Sequence, residues 1–113
     1  MAAFEIIFLG TCACDFSPRL KGDCKDRFDK DVRRSSSILM NGHILVDCGP
    51  HTPGSLAIAG APLASVTDIF VTHLHDDHFD AENIGRIASA KEEKLRLWVR
   101  EDAQFAPIAN TEV

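Results

Sequence analysis

Apolar residues fall in short runs separated by polar or glycine-bearing breaks, and the spacing of those runs predicts most of the elements. Phe4-Glu5-Ile6-Ile7-Phe8-Leu9 reads as a first strand, largely buried, that ends at Gly10. Residues 10–34 are polar, mixed in charge and broken by Gly10, Pro18 and Gly22, which predicts a long loop. Ser37-Ile38-Leu39-Met40 and His43-Ile44-Leu45-Val46 flank Asn41-Gly42, a dipeptide that predicts a tight hairpin. Asp47-Cys48-Gly49-Pro50 ends its second arm. Thr52 to Gly60 suits a short helix, with Thr52 as N-cap and Pro53 at the first helical position. Asp68 to Thr72 predicts a strand. Asp80 predicts the N-cap of a helix over 81–90 whose apolar face is Ile84, Ile87 and Ala88. Leu95 to Val99 predicts a further strand, and residues 101–106 the start of a helix that Pro107 interrupts. Strand, hairpin, helix, strand, helix, strand implies an α/β fold, a mixed sheet with helices on at least one face.

One segment departs from packing logic. Within the six positions from His73 to His78 lie three of the five histidines and two carboxylates, directly after the apolar Ile69-Phe70-Val71. A polar loop whose histidines only cap the next helix does not need that density. Imidazoles and carboxylates crowded at a strand end suit a divalent metal. His73 and His75, two apart, point to one side of an extended chain. Asp77 and His78 converge where a turn opens a helix. The pattern fits two neighbouring metals, with His73 and His75 on one and Asp77 and His78 on the other. Asp77 is also a candidate for handling a proton. Zinc suits these ligands best, with manganese or iron as alternatives for a mixed nitrogen and oxygen set.

Composition narrows the classes around that cluster. The 113 residues are enough for one small domain, 45% hydrophobic and 26% charged, as in ordinary globular proteins. No apolar run reaches the ~20 residues of a membrane span, and the start shows no export signal, so a cytoplasmic protein is expected. The net charge of −5 does not point to a general nucleic-acid binder. Residues 15–34 run against that balance, with seven basic and five acidic side chains. Cys12, Cys14 and Cys24 offer three ligands for a structural zinc, but not at a regular spacing. Cys48 reads as a small buried side chain.

Thr72-His73-Leu74-His75-Asp76-Asp77-His78 resembles the T-H-x-H-x-D-H signature of the metallo-β-lactamase superfamily. Phe8-Leu9-Gly10-Thr11 looks like that family's first strand and glycine turn, and Leu45-Val46-Asp47-Cys48-Gly49 like its L-(I/V)-D-x-G segment. The resemblance implies that His73, His75, Asp77 and His78 are ligands. It also implies that Asp47 supports the site by hydrogen bonding rather than by coordination. Gly10-Thr11 with Pro18, and Arg33-Arg34-Ser35-Ser36-Ser37, resemble the phosphodiesterase branch, which includes tRNA 3′-end-processing nucleases. Cys12 departs from that branch, where glycine is common. Arg33 and Arg34 either hold a phosphate in bidentate fashion or are solvated loop charges. His51 either reaches the substrate pocket or is an ordinary hydrogen-bonded loop histidine.

The resemblance implies a four-layer αββα sandwich of two similar halves, with two metal ions per complete site. Further ligands come from the C-terminal half, yet no histidine follows His78 in this sequence. The expectation is therefore residues 1–113 as the N-terminal half of such a sandwich, with the C-terminal half absent. Its open sheet face should drive association. The implied function is phosphodiester hydrolysis by a metal-bound hydroxide, on a small-molecule or nucleotide substrate, in a chain inactive by itself. Two alternatives stand beside it: a thioester or lactam hydrolase of the same fold, and a non-catalytic metal-binding or interaction module.

Overall fold

The computed structural model describes residues 4–10 and 34–113. Arg33, Cys12, Cys14, Cys24 and the Thr11 and Pro18 positions lie outside them. The elements are β1 (Ile6–Gly10), β2 (Ser37–Met40), β3 (Ile44–Val46), α1 (Thr52–Ile58), a 3₁₀ turn at Leu63–Ser65, β4 (Asp68–Phe70), α2 (Ala81–Ser89), β5 (Leu95–Trp98) and β6 (Thr111–Glu112). They make a sheet in the order β1-β2-β3-β4-β5-β6. The first three strands pair antiparallel and β3 through β6 pair parallel. Among the described residues no helix is long and apolar enough to cross a membrane.

The β2–β3 hairpin closes as its sequence predicts. Asn41 and Gly42 both take positive φ, 52° and 76°, the conformation a two-residue turn of matching twist requires. Asn41 also accepts from the Glu5 N–H through Oδ1 at 2.9 Å, which clamps the start of β1 to the hairpin tip. At α2, Asp80 accepts from the Asn83 N–H at 3.0 Å and caps the helix as expected. At α1 the expectation needs correction. His51, not Thr52, is the N-cap and it provides no side-chain bond. Thr52 Oγ1 instead accepts from the Gly49 N–H at 3.0 Å, one turn upstream.

Residues 101–106 form no helix. A single turn, with the Ala103 N–H on the Arg100 carbonyl at 3.0 Å, gives way to extended chain. The extended path lets Phe105 reach Phe79, ring centroids 5.2 Å apart, and carries the backbone to β6, a strand the apolar pattern does not show. Packing of one aromatic ring outweighs a weak local helical preference. Asn110 then fastens β6 to the end of α2. Its side-chain amide donates to the carbonyls of Ala88, Lys91 and Glu93 at 2.8, 2.9 and 3.1 Å.

Pairing register sorts the strand residues into two faces. Ile7, Leu39, Leu45, Ile69 and Leu97 form one row across five strands, under the helices and merged with Leu56, Ile84 and Ile87. The opposite face carries the row Phe8, Ile38, Val46, Phe70 and Trp98. Phe8 is 68% exposed and Trp98 51%. Phe70 and Trp98 stack, centroids 5.3 Å apart and nearly coplanar. Among the described residues these side chains form an exposed apolar row.

Asp68 interrupts that face and is saturated with donors. Arg96 gives it Nε and Nη2 at 2.9 and 2.8 Å, Trp98 gives Nε1 at 2.8 Å and Thr67 gives Oγ1 at 2.7 Å. The Arg96 bonds, then those from Trp98 and Thr67, hold the carboxyl far below its ordinary value of 3.8. The folded protein thus binds fewer protons here than the unfolded chain. This contribution is complete above about pH 4 and is lost as pH falls toward the depressed value. Between about pH 7 and about pH 3, the urea midpoint of the native chain should fall more than that of Asp68→Asn. Equal falls would show that the cluster carries no linked stability.

Candidate metal centre

The site is built where β3 and β4, parallel neighbours, release their chains at the same edge, where ligand sites of such sheets form. Beyond β3, Asp47 turns into the left-handed region with φ 64°. The next residue forms an isolated parallel bridge to Phe79. Two bonds fix that bridge, Cys48 N–H to the His78 carbonyl at 3.0 Å and Asp80 N–H to the Cys48 carbonyl at 2.7 Å. Gly49 sits against this second strand of chain. A Cβ there would overlap the Asp77 carbonyl oxygen and crowd Ser35 Oγ, so only glycine fits. Asn83 of α2 donates to the Gly49 and Pro50 carbonyls at 3.1 and 3.2 Å and holds the turn from below.

This close approach sets the Asp47 carboxylate among the histidines. It is buried, 4% exposed. Oδ1 accepts from the Thr72 N–H at 2.8 Å, the Thr72 hydroxyl lies 2.9 Å from Oδ2, and Oδ2 lies 2.6 Å from His78 Nδ1. An ionised carboxylate only accepts, so the proton of His78 sits on Nδ1. Nε2 is then left with its lone pair, and it points at Asp77 Oδ2, 3.1 Å away. The Thr72 hydroxyl lies 3.0 Å from His73 Nδ1. With its proton given to Asp47 it accepts from His73 Nδ1–H, which leaves His73 Nε2 as an acceptor too. One carboxylate thus orients two imidazoles, one directly and one through a hydroxyl.

His73, Asp77 and His78 each offer a ligand atom within 4.8 Å of the others. Two ring nitrogens and a carboxylate oxygen converge with no donor between them. Lone pairs at that spacing repel unless a cation or proton lies among them, so the donor set fits a divalent ion. His75 stands beside this trio: its ring meets His73 edge-on, centroids 4.7 Å apart, and it is exposed. Its carbonyl takes the N–H groups of His78 and Phe79 at 2.9 and 2.8 Å and so shapes the turn that buries Asp77.

The remaining sequence candidates are placed as follows. His51 is 1% exposed, and its Nδ1 accepts from the Ser35 N–H at 3.0 Å, tying the start of α1 to the chain that enters β2. Arg34 is buried, beside Ile7, Leu9 and Ser55. Burial, then the charges of Asp80 and Asp47, push the Cys48 thiol well above its usual range, so it stays neutral and packs. Thr72 is not among the ligands expected from the sequence. Its place in the relay depends on Asp47, twenty-five positions away.

A family model described as Anti-Pycsar protein Apyc1 matches residues 27–105. The chain belongs to that family. Over 75 residues it is 53% identical to Ribonuclease Z of Methanothermobacter thermautotrophicus, an alignment covering 66% of this chain and 21% of that protein. Crystal structures agree on the fold. Human tRNase Z, short form, superposes with a TM-score of 0.59 at 27% identity, over 81% of this chain and 33% of that one. The metallo-β-lactamase fold protein YhfI from Bacillus subtilis gives 0.66 at 16% identity, over 88% of this chain and 39% of that one. A diphosphatase of the PhnP family gives 0.63 at 19% identity, over 88% and 43%. The superfamily resemblance carried by the histidine motif therefore holds, and the fold is metallo-β-lactamase. The chain spans about a fifth of the curated relative's length and at most 43% of these structures.

Two substitutions probe the scaffold of this family member's site. Asn tolerates the left-handed backbone, so Asp47→Asn should fold, yet weaken zinc uptake by about 10–100-fold through lost orientation of His78 and His73. Gly49→Ala should cost roughly 1–3 kcal/mol of stability, because backbone must shift to admit the methyl group. Calorimetric zinc titration and urea unfolding check the pair. Native-like zinc affinity in Asp47→Asn would break the account of the relay.

Proposed function

We propose that the chain provides the metal-binding half of a phosphodiester hydrolase, with His73, His75, Asp77 and His78 as ligands. The observation that supports this reading most directly is the convergence of His73, Asp77 and His78 upon a point that Asp47 organises. A cation held there supplies Lewis acidity toward a phosphorus centre. The protein's own residues do the rest. Asp47 and Thr72 keep both imidazoles in the tautomer that presents Nε2. Asp77, buried against the Gly49 turn, offers a carboxylate oxygen to the ion and is the group best placed to accept a proton beside it. His75 lies next to His73, ring centroids 4.7 Å apart, and is the proposed fourth ligand.

Zinc is the proposed metal, given two imidazoles and a carboxylate in one cluster, with manganese and iron as competitors for the same donors. A phosphodiester, of a small molecule or a nucleotide, is the proposed substrate. The similarity to Ribonuclease Z and to the PhnP-family diphosphatase supports it. The open face with Phe8, Phe70 and Trp98 favours a second reading, a metal-binding module that works through association. Its apolar row is the surface on which we propose that a second β-layer packs.

One set of measurements separates these readings. Zinc should bind the native chain, and His73→Ala, Asp77→Ala and His78→Ala should each abolish uptake in calorimetry. Zinc-dependent turnover of bis(p-nitrophenyl) phosphate, but not of a thioester or a cephalosporin, supports the hydrolase. Bound zinc without turnover of any of the three supports the module. Unchanged zinc uptake in the alanine variants would remove the metal site, and with it both readings.

A further inference from the structure

β4 and β5 are adjacent and parallel, so the segments that leave their C-terminal ends lie side by side. From β4 comes the histidine loop. From β5 comes Val99 and then the turn from Arg100 to Ala103. Between them opens a pocket of about 200 Å³. His73 forms part of one wall, and Arg100, Asp102 and Gln104 part of the other. Val71, Leu74 and Val99 supply an apolar lining. A mostly apolar pocket with a few convergent polar groups is the usual form of a small-ligand site.

Arg100 is the cationic side chain in that lining. Asp102 receives its Nε and Nη2 at 3.1 and 3.2 Å. The two parallel bonds steer the guanidinium plane, although an exposed pair of this kind adds little to stability. One nitrogen, Nη1, takes no part in that pair. A metal site binds a phosphoester through one or two oxygens and leaves negative charge on the others. A planar guanidinium lining a pocket that shares His73 with the metal cluster is suited to that charge. The pocket falls below the ~300–1,000 Å³ of drug-sized sites, so it suits one end of a phosphoester rather than an extended polymer segment.

We infer that Arg100 is a substrate-binding residue, which grips a phosphate oxygen of a phosphoester while the Val71–Leu74–Val99 wall takes the group esterified to it. This deepens the hydrolase reading and rests on it. The probe is AMP, with adenosine as the uncharged control, titrated onto the zinc-loaded full chain by calorimetry and by NMR of the arginine Nε–H signals. AMP should bind more tightly than adenosine and shift the Arg100 signal. Arg100→Gln should weaken AMP by about tenfold or more, the scale of one charge-assisted hydrogen bond, with zinc affinity unchanged. Arg100→Lys should recover only part of that loss. AMP affinity in Arg100→Gln within about twofold of the native chain overturns the proposal, as does equal binding of AMP and adenosine. If the native chain takes up no zinc, the hydrolase reading fails first. AMP is then titrated onto the metal-free chain, where a shifted Arg100 signal sustains the anion pocket and an unmoved one ends it.

Discussion

The site depends on one carboxylate. Asp47 leaves the end of β3 in a left-handed conformation and meets Thr72 and His78, twenty-five and thirty-one positions further on. Because an ionised carboxylate only accepts, every group that touches it must donate, and that single rule fixes the tautomers of two imidazoles. Gly49 makes the encounter physically feasible, since a side chain there would hold the Asp77–His78 backbone away. The aspartate and the glycine of the D-x-G segment thus serve one purpose from two directions. One binds the histidine loop through its side chain, and the other admits it through the lack of one.

The surrounding fold supplies rigidity for that encounter. The row Ile7, Leu39, Leu45, Ile69 and Leu97 locks five strands beneath two helices, so the strand ends from which both loops emerge have little freedom. Asn83 and Asn110 then fasten irregular chain to regular elements through their side-chain amides. Each donates to backbone carbonyls in the turns and helix end that it packs against. The loop residues that face solvent, His73 and His75 among them, are carried on this frame without contributing to its core.

The opposite sheet face shows how one layer accommodates both apolar area and charge. Asp68 would be a costly intrusion among Ile44, Phe70 and Trp98 if it stood alone. Four donated bonds satisfy it, and the guanidinium of Arg96 spreads the compensating charge into solvent. The result is a polar island at a fixed register within an apolar row.

Much was legible from the chain alone, and the division follows the range of the forces involved. Asn41-Gly42 announced its hairpin because two positive φ values are a local demand, and Asp80 its helix because a cap bonds three residues away. The histidine motif pointed to a candidate metal site because ligand density within one turn has few other uses. Residues 101–106 misled because their local helical preference was real but weak, and a ring twenty-six positions back claimed Phe105. By itself the sequence determined every described strand but β6, which turns are tight and where the histidines and carboxylates crowd together, since these are set within a few residues. Only the tertiary structure decided that Thr72 links Asp47 to His73, that His51 is buried and that Arg100 and His73 line one pocket. Those contacts exist because particular strands became neighbours, a choice made by the packing of the whole sheet that no local pattern encodes.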